Sequence, residues 1–210
     1  GSLLDDTALD AAFKALLIAV PSENDVAREV AENVDPDAVT TAHQAYRRTI
    51  ADRLGARLKA IVEADGAAAG QPYVPDAAGA GRRSLVNTAL DLLSITGSQE
   101  IMALVRRRFE TATNMTDRMA ALTILVHRGD AGAEAALASF FERFGNVPLV
   151  VDKWLSAQAS APLANTLDKV LALTQHPAFS FGNPNRVRAR VGAFATSNPT
   201  QFGRADGKGF

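Results

Sequence analysis

The sequence predicts an all-α protein built of antiparallel helix pairs, an α-solenoid curved into a horseshoe or bowl. Three observations carry that prediction. Apolar positions recur at spacings of three and four rather than two. Alanine, the strongest helix former, is abundant throughout. Periodic segments of ~10–15 residues are joined by short loops, which forces neighbouring helices to run antiparallel. No dominant central segment appears, so the pairs are expected to stack in a row. The run Leu149 to Val151 is too short for a strand and leads directly into Asp152, Lys153 and Trp154.

The first helix is predicted over residues 7–20, with Leu9, Ala12, Phe13, Leu16, Leu17 and Val20 on one face. Pro21 and Ser22 open a second, whose Val26 and Val30 face the core. Asp35-Pro36 opens the longest, reaching about Ala64, with a stripe of Val39, Ala42, Tyr46, Ile50, Leu54, Leu58 and Ile61. Residues 66–81, rich in Gly and Ala with two prolines, read as a loop or weakly ordered connection, with a helix able to begin near Asp76. Helices follow over 83–95, ended by Gly97, and over 99–111, capped by Ser98. Two more span 116–128 and 131–144, ended by Gly129 and Gly145. Proline at the first helical turn then marks four starts, Pro148, Pro162, Pro184 and Pro199. All 210 residues are read as a single helical domain.

Composition narrows the function. A chain of 210 residues buries roughly 70% of its unfolded surface and needs no covalent staple. Lys and Arg number 22 against 23 Asp and Glu, so no global field points to nucleic acid or to an anionic membrane. The absence of cysteine excludes a disulfide framework and a thiolate metal site, and fits a reducing compartment. No apolar run approaches the ~20 residues that span a bilayer. Gly1-Ser2 reads as a cloning remnant or a cut end.

Catalytic signatures are missing. His43, His127 and His176 have no second histidine four residues on, and none sits in H-E-x-x-H, so each reads as a surface or packing residue. Gly79-Ala80-Gly81 lacks the lysine and strand-to-helix setting of a phosphate loop. Asn114 or Thr116 reads as a helix cap. Arg106, Arg107 and Arg108 point in different directions on a helix and form no single patch. Trp154 reads as a packing anchor between helices.

The stretch from Phe179 to Gly203 is the most informative. Asn183-Pro184 and Asn198-Pro199, each a helix start with an Asn cap, bracket a helix bearing Arg186, Arg188 and Arg190. Residues two apart on a helix lie about 200° apart, so Arg186 and Arg190 share a face and Arg188 takes the opposite one. The stretch resembles the C-terminal helical domain of the bacterial aminopeptidase N family, the zinc-dependent alanyl aminopeptidases. Three further segments resemble the same domain in the same order: Val20 to Asn24, Thr113 to Asp117 and Leu149 to Trp154.

The resemblance implies a parent whose separate catalytic domain binds zinc and removes N-terminal residues from peptides in the cytoplasm. This chain would be a C-terminal portion with no cofactor of its own, inactive alone, and the family would continue past Phe210 with further helices. Its partners would be the parent's catalytic domain and peptide substrates, with no nucleic acid or membrane. It would cap the active-site cavity, restrict access and place substrates. In the family the second arginine of Asn-Pro-Asn-Arg-x-Arg looks into that cavity, which assigns Arg188 to a substrate carboxylate or polar end, with Arg186 beside it. The alternative function is a free-standing helical scaffold that binds protein or peptide in its groove.

Overall fold

The structure is a computed structural model and describes residues 2–67 and 73–210. It is all-helical, with no strand among the described residues. In chain order the helices are α1 (Ser2–Asp5), α2 (Ala11–Ile18), α3 (Glu23–Val30), α4 (Pro36–Ala67) and α5 (Ala77–Ser94). Next come α6 (Gln99–Thr111), α7 (Met115–His127), α8 (Ala133–Phe144), α9 (Pro148–Ala159) and α10 (Thr166–Ala172). Then α11 (Pro184–Val187), a π-helical turn (Arg188–Gly192) and α12 (Ala193–Ser197) form one continuous run, followed by α13 (Pro199–Phe202).

Several boundaries follow directly from local chemistry. Asp35 Oδ1 accepts from the N–H of Asp37 at 2.9 Å and starts α4. Asp76 Oδ1 accepts from Gly79 N–H at 2.7 Å, so α5 begins inside the expected loop and runs unbroken to Ser94. That loop is shortened at both ends, because α4 continues through Gly66. Its middle, residues 68–72, lies outside the described residues. Gly97 and Gly129 adopt φ of 70° and 59°, the left-handed geometry that lets glycine end α5 and α7. Ser98 precedes α6 as expected but makes no side-chain cap bond. α10 starts later than Pro162, since Thr166 Oγ1 turns back to Ala161 O at 2.8 Å.

The chain forms two compact units. One comprises Gly1–Ser22 and Thr41–Ala121. Its core draws Leu58 from α4, Val86, Ala89 and Leu90 from α5, and Ile101 and Val105 from α6. The other comprises Glu23–Thr40 and Leu122–Phe210. There Leu122 and Leu125 of α7, Phe140 of α8 and Val151 and Leu155 of α9 are almost fully buried. A satellite cluster joins Ala159, Val170 and Phe194, flanked by Leu167 and Phe202.

Three expected faces are corrected. On α2, Phe13, Leu16 and Leu17 are exposed, and Ala15 and Ile18 are buried instead. The helix is apolar nearly all round, so its pattern does not choose a face. Contact geometry chooses it: α2 packs on α5 where Gly81 lets the backbones approach, and a Cβ there would sit 2.9 Å from Ala12 N. On α3, no residue is buried and Val30 is exposed. On α4, Val39, Ala51, Leu58 and Val62 are buried, and Tyr46 is exposed. Ala51, Leu58 and Val62 lie within about 40° of one another on the helix and about 120° round from Val39, so the buried face of so long an element turns along its length.

The seam makes a clear prediction. Gly81→Ala forces the α2 backbone to move and is expected to cost about 1–3 kcal/mol. Leu16→Ala, on the exposed side, is expected to change stability by less than ~0.5 kcal/mol. Urea denaturation of both variants measures this; equal losses would restore Leu16 to the core.

Candidate functional site

The arginine-bearing run is built from its cap inward. Asn183 Oδ1 accepts from Asn185 N–H at 3.0 Å and Arg186 N–H at 3.3 Å, and Pro184 occupies the first turn. This is the cap that Asn-Pro predicts. The second Asn-Pro step behaves differently. Asn198 makes no side-chain cap to α13; it is buried, and its Nδ2 donates to Ala161 O at 2.7 Å and Ala159 O at 3.2 Å. The preceding helix thereby ends tied to the C-terminus of α9, whose last carbonyls need donors. Asn24, from the segment after α2, donates to Thr196 O at 2.7 Å at the same helix end.

The three arginines take the faces that helical geometry assigns. Arg186 is buried. Its Nε donates to Ala178 O at 2.9 Å and its Nη1 to Pro148 O at 2.8 Å, and it ion-pairs with Asp152. Arg190 is buried as well; its Nε donates to Val170 O at 2.7 Å, and its guanidinium lies 4.6 Å from the Phe179 ring centroid. Burial pushes the Arg190 pKa down from the ordinary guanidinium value. Arg188 points the other way and is exposed. Its contact is a 3.4 Å bond from Nη1 to Asn185 Oδ1, and no carboxylate pairs with it among the described residues. The π-helical turn begins at Arg188, a feature often found at functional sites.

Neighbouring residues support the run. Asp152 anchors Arg186, and Trp154 is 5% exposed with Nε1 donating to Leu137 O at 3.0 Å. The Trp154 ring packs on Phe141 and His176, with centroids 5.0 and 5.1 Å away. Trp154 is thus the packing anchor expected of it. His176 Nδ1 accepts from Ala178 N–H at 3.1 Å, and His127 Nε2 lies 3.1 Å from Ser160 Oγ and 3.2 Å from Ala157 O. His43 Nε2 lies 3.0 Å from Pro21 O. The described residues bring no three metal-ligating side chains together. Asn114 is the cap of α7, accepting from Asp117 N–H at 2.9 Å. Arg108 turns inward to Asp65 at 2.7 Å, whereas Arg107 is exposed, so the basic run divides as the helix requires.

Sequence reasoning took Asn198 for a helix cap and gave Arg190 no task beyond sharing a face with Arg186. Only a map of orphan carbonyls at the ends of α9 and α10 reveals their task.

Two predictions follow from this geometry. Arg186→Met leaves Asp152 half-buried and unpaired, and is expected to cost about 3–5 kcal/mol in urea titration, against less than ~0.5 kcal/mol for Arg188→Met. His176 folds as a neutral imidazole, since imidazolium cannot accept the Ala178 N–H. Burial holds its pKa below 6.5. Its contribution is therefore full above pH 6.5 and is lost as pH falls through the lower folded-state value. Thermal melts across that window should show the decline, flattened in His176→Phe, which keeps the ring contacts.

Comparison with known proteins places this architecture. The family model described as "Domain of unknown function (DUF3458_C) ARM repeats" matches residues 1–210. Aminopeptidase N of Caulobacter vibrioides is 41% identical over 213 aligned positions, covering 100% of this chain and 24% of that protein. Aminopeptidase N of Escherichia coli is 35% identical, again over 100% of this chain and 24% of the relative. Among solved structures, Legionella pneumophila aminopeptidase A in complex with aspartic acid superposes with a TM-score of 0.87 at 26% identity. That match covers 99% of this chain and 25% of the neighbour. The chain spans about a quarter of the length of these relatives. It belongs to the DUF3458_C family of ARM repeats and is homologous to the C-terminal helical domain of aminopeptidase N.

Proposed function

We propose that this chain caps the active-site cavity of a cytoplasmic aminopeptidase, restricts access to it and positions peptide substrates. The parent polypeptide removes N-terminal residues from peptides, with zinc held outside this chain. The histidines here are engaged with carbonyls, a hydroxyl and a backbone N–H.

The observation that carries the reading is the division of labour among the arginines. Arg186 and Arg190 are buried and bonded to backbone, and Arg188 is held outward with no carboxylate of its own among the described residues. A guanidinium stays charged and grips a carboxylate through two parallel N–H donors. Arg188 therefore meets the carboxylate or polar tail of a bound peptide. Arg186 acts as a positioning residue, through the helix it anchors at Pro148 and Asp152. An aminopeptidase gains from such a hold, because binding energy from the remote tail places the N-terminal peptide bond.

The test is steady-state kinetics on the full-length parent. Arg188→Ala is expected to lower kcat/KM for tri- and tetrapeptides by about tenfold, mainly through KM, and to change hydrolysis of an alanine anilide far less. Equal losses on both substrates would remove the tail-binding role. A parent lacking this domain that hydrolyses peptides normally, and does not associate with the separate chain, would favour a free-standing peptide-binding scaffold.

A further inference from the structure

The arginine-bearing run departs from the α-helical ladder at the π turn, and α9 supplies the reason. The Ala193 N–H reaches Arg188 O, five residues back, and Arg190 O, three back. In an α-helix that N–H would go to the carbonyl four back, Ala189 O. Here Ala189 O accepts from Ser156 Oγ of α9 at 3.0 Å. The same hydroxyl lies 3.0 Å from Asp152 O. A serine has one hydroxyl proton to give, and Asp152 O sits inside α9, where the helical ladder already supplies a donor. Ala189 is buried, where a carbonyl without a donor is costly.

The π turn keeps the run seated along its length. Arg186, Arg190 and Phe194 are all buried in the second unit and follow one another at intervals of four. On a regular α-helix each such step drifts about 40°, so Phe194 would stand about 80° round from Arg186. A π turn places one more residue in the turn and takes up that drift. Arg186 is fixed by Asp152, Pro148 O and Ala178 O, and Phe194 by its cluster with Ala159 and Val170. Arg188 lies between these two fixed points. Its stem passes Gly192, where a Cβ would sit 3.4 Å from Arg188 Cγ, and its guanidinium makes the 3.4 Å bond to Asn185 Oδ1.

We infer that Ser156 is a positioning residue for Arg188: its hydroxyl occupies Ala189 O, diverts the Ala193 N–H to Arg188 O, and so holds the π turn that sets the direction of the Arg188 side chain. Without the hydroxyl, the Ala193 N–H is free to take Ala189 O and close a regular α turn. Both ends of the run are anchored, so Arg188 is the residue whose orientation yields. The effect of Ser156 is carried by the backbone, without contact between Ser156 and a substrate. Its consequence for peptides rests on the reading proposed above, in which Arg188 holds the substrate tail.

A crystal structure of the 210-residue Ser156→Ala chain and kinetics on the full-length parent test the two halves separately. The variant structure is expected to show the Ala193 N–H on Ala189 O and the Arg188 guanidinium displaced. In the parent, Ser156→Ala is expected to raise KM for tri- and tetrapeptides about fivefold with kcat nearly unchanged, and to leave alanine anilide hydrolysis within about twofold. Ser156→Thr keeps an oxygen that bonds the carbonyl four residues back on a helix, and is expected to restore the peptide KM. Ser156→Ala added to Arg188→Ala is expected to cost nothing further, since both act through one guanidinium. An unaltered π turn in the Ser156→Ala structure would overturn the inference whatever Arg188 does. So would a peptide KM that rises in Arg188→Ala and not in Ser156→Ala, or equal losses on peptides and anilide in Ser156→Ala. If Arg188→Ala leaves peptide kinetics unaltered, the tail-holding reading falls by itself, and the Ser156→Ala structure decides whether Ser156 orients that arginine.

Discussion

The second unit depends on one buried ion pair and the carbonyl bonds around it. Arg186 reaches Asp152, Pro148 O and Ala178 O at once, tying the start of α9, the loop before α11 and the arginine-bearing run into one piece. The cost of desolvating two charges is offset because the guanidinium also satisfies carbonyls that no helix bond reaches. With Arg186 fixed, the rotation of the run is fixed, and Arg188 has only the outward direction left. Its exposure is a consequence of its neighbour's burial.

The same device appears in the first unit. Arg108 gathers Asp65, Asp117 and Asn87, and Asn114 both caps α7 and holds Asp117. Arg118 donates to Phe109 O at 2.8 Å and also to Ala112 O, closing the end of α6. A chain without cysteine, made of many short helices, has many helix ends to satisfy. Arginine suits that work, since one planar group presents several donors at fixed angles. The charges are arranged locally to finish helix ends.

Much of the architecture was legible because its punctuation is chemical. Pro148, Pro184, Asp35 and Gly97 start or stop helices through a missing N–H, a cap oxygen or a left-handed φ, each a property of one residue. The opposed faces of Arg186 and Arg188 were legible for the same reason, since they follow from the helical repeat alone. What was misread shares a different cause. The exposed Leu16 and the buried Ala15 lie on a helix that is apolar all round, so its docked face is decided by the close approach at Gly81, far away in sequence. Asn198 has the sequence of a cap, and its side chain instead meets carbonyls at the end of α9.

The sequence by itself determined the helical class, most helix limits, the kinship to the aminopeptidase helical domain, and which face of its helix each arginine takes. These depend on interactions spanning a few residues, where backbone geometry leaves little choice. Tertiary structure alone decided which apolar face of α2 is buried, and which asparagine is a cap and which a tie. Those outcomes depend on groups brought together from distant positions. Burial makes the energy of a polar atom depend on the partner it meets, and no local pattern encodes that partner.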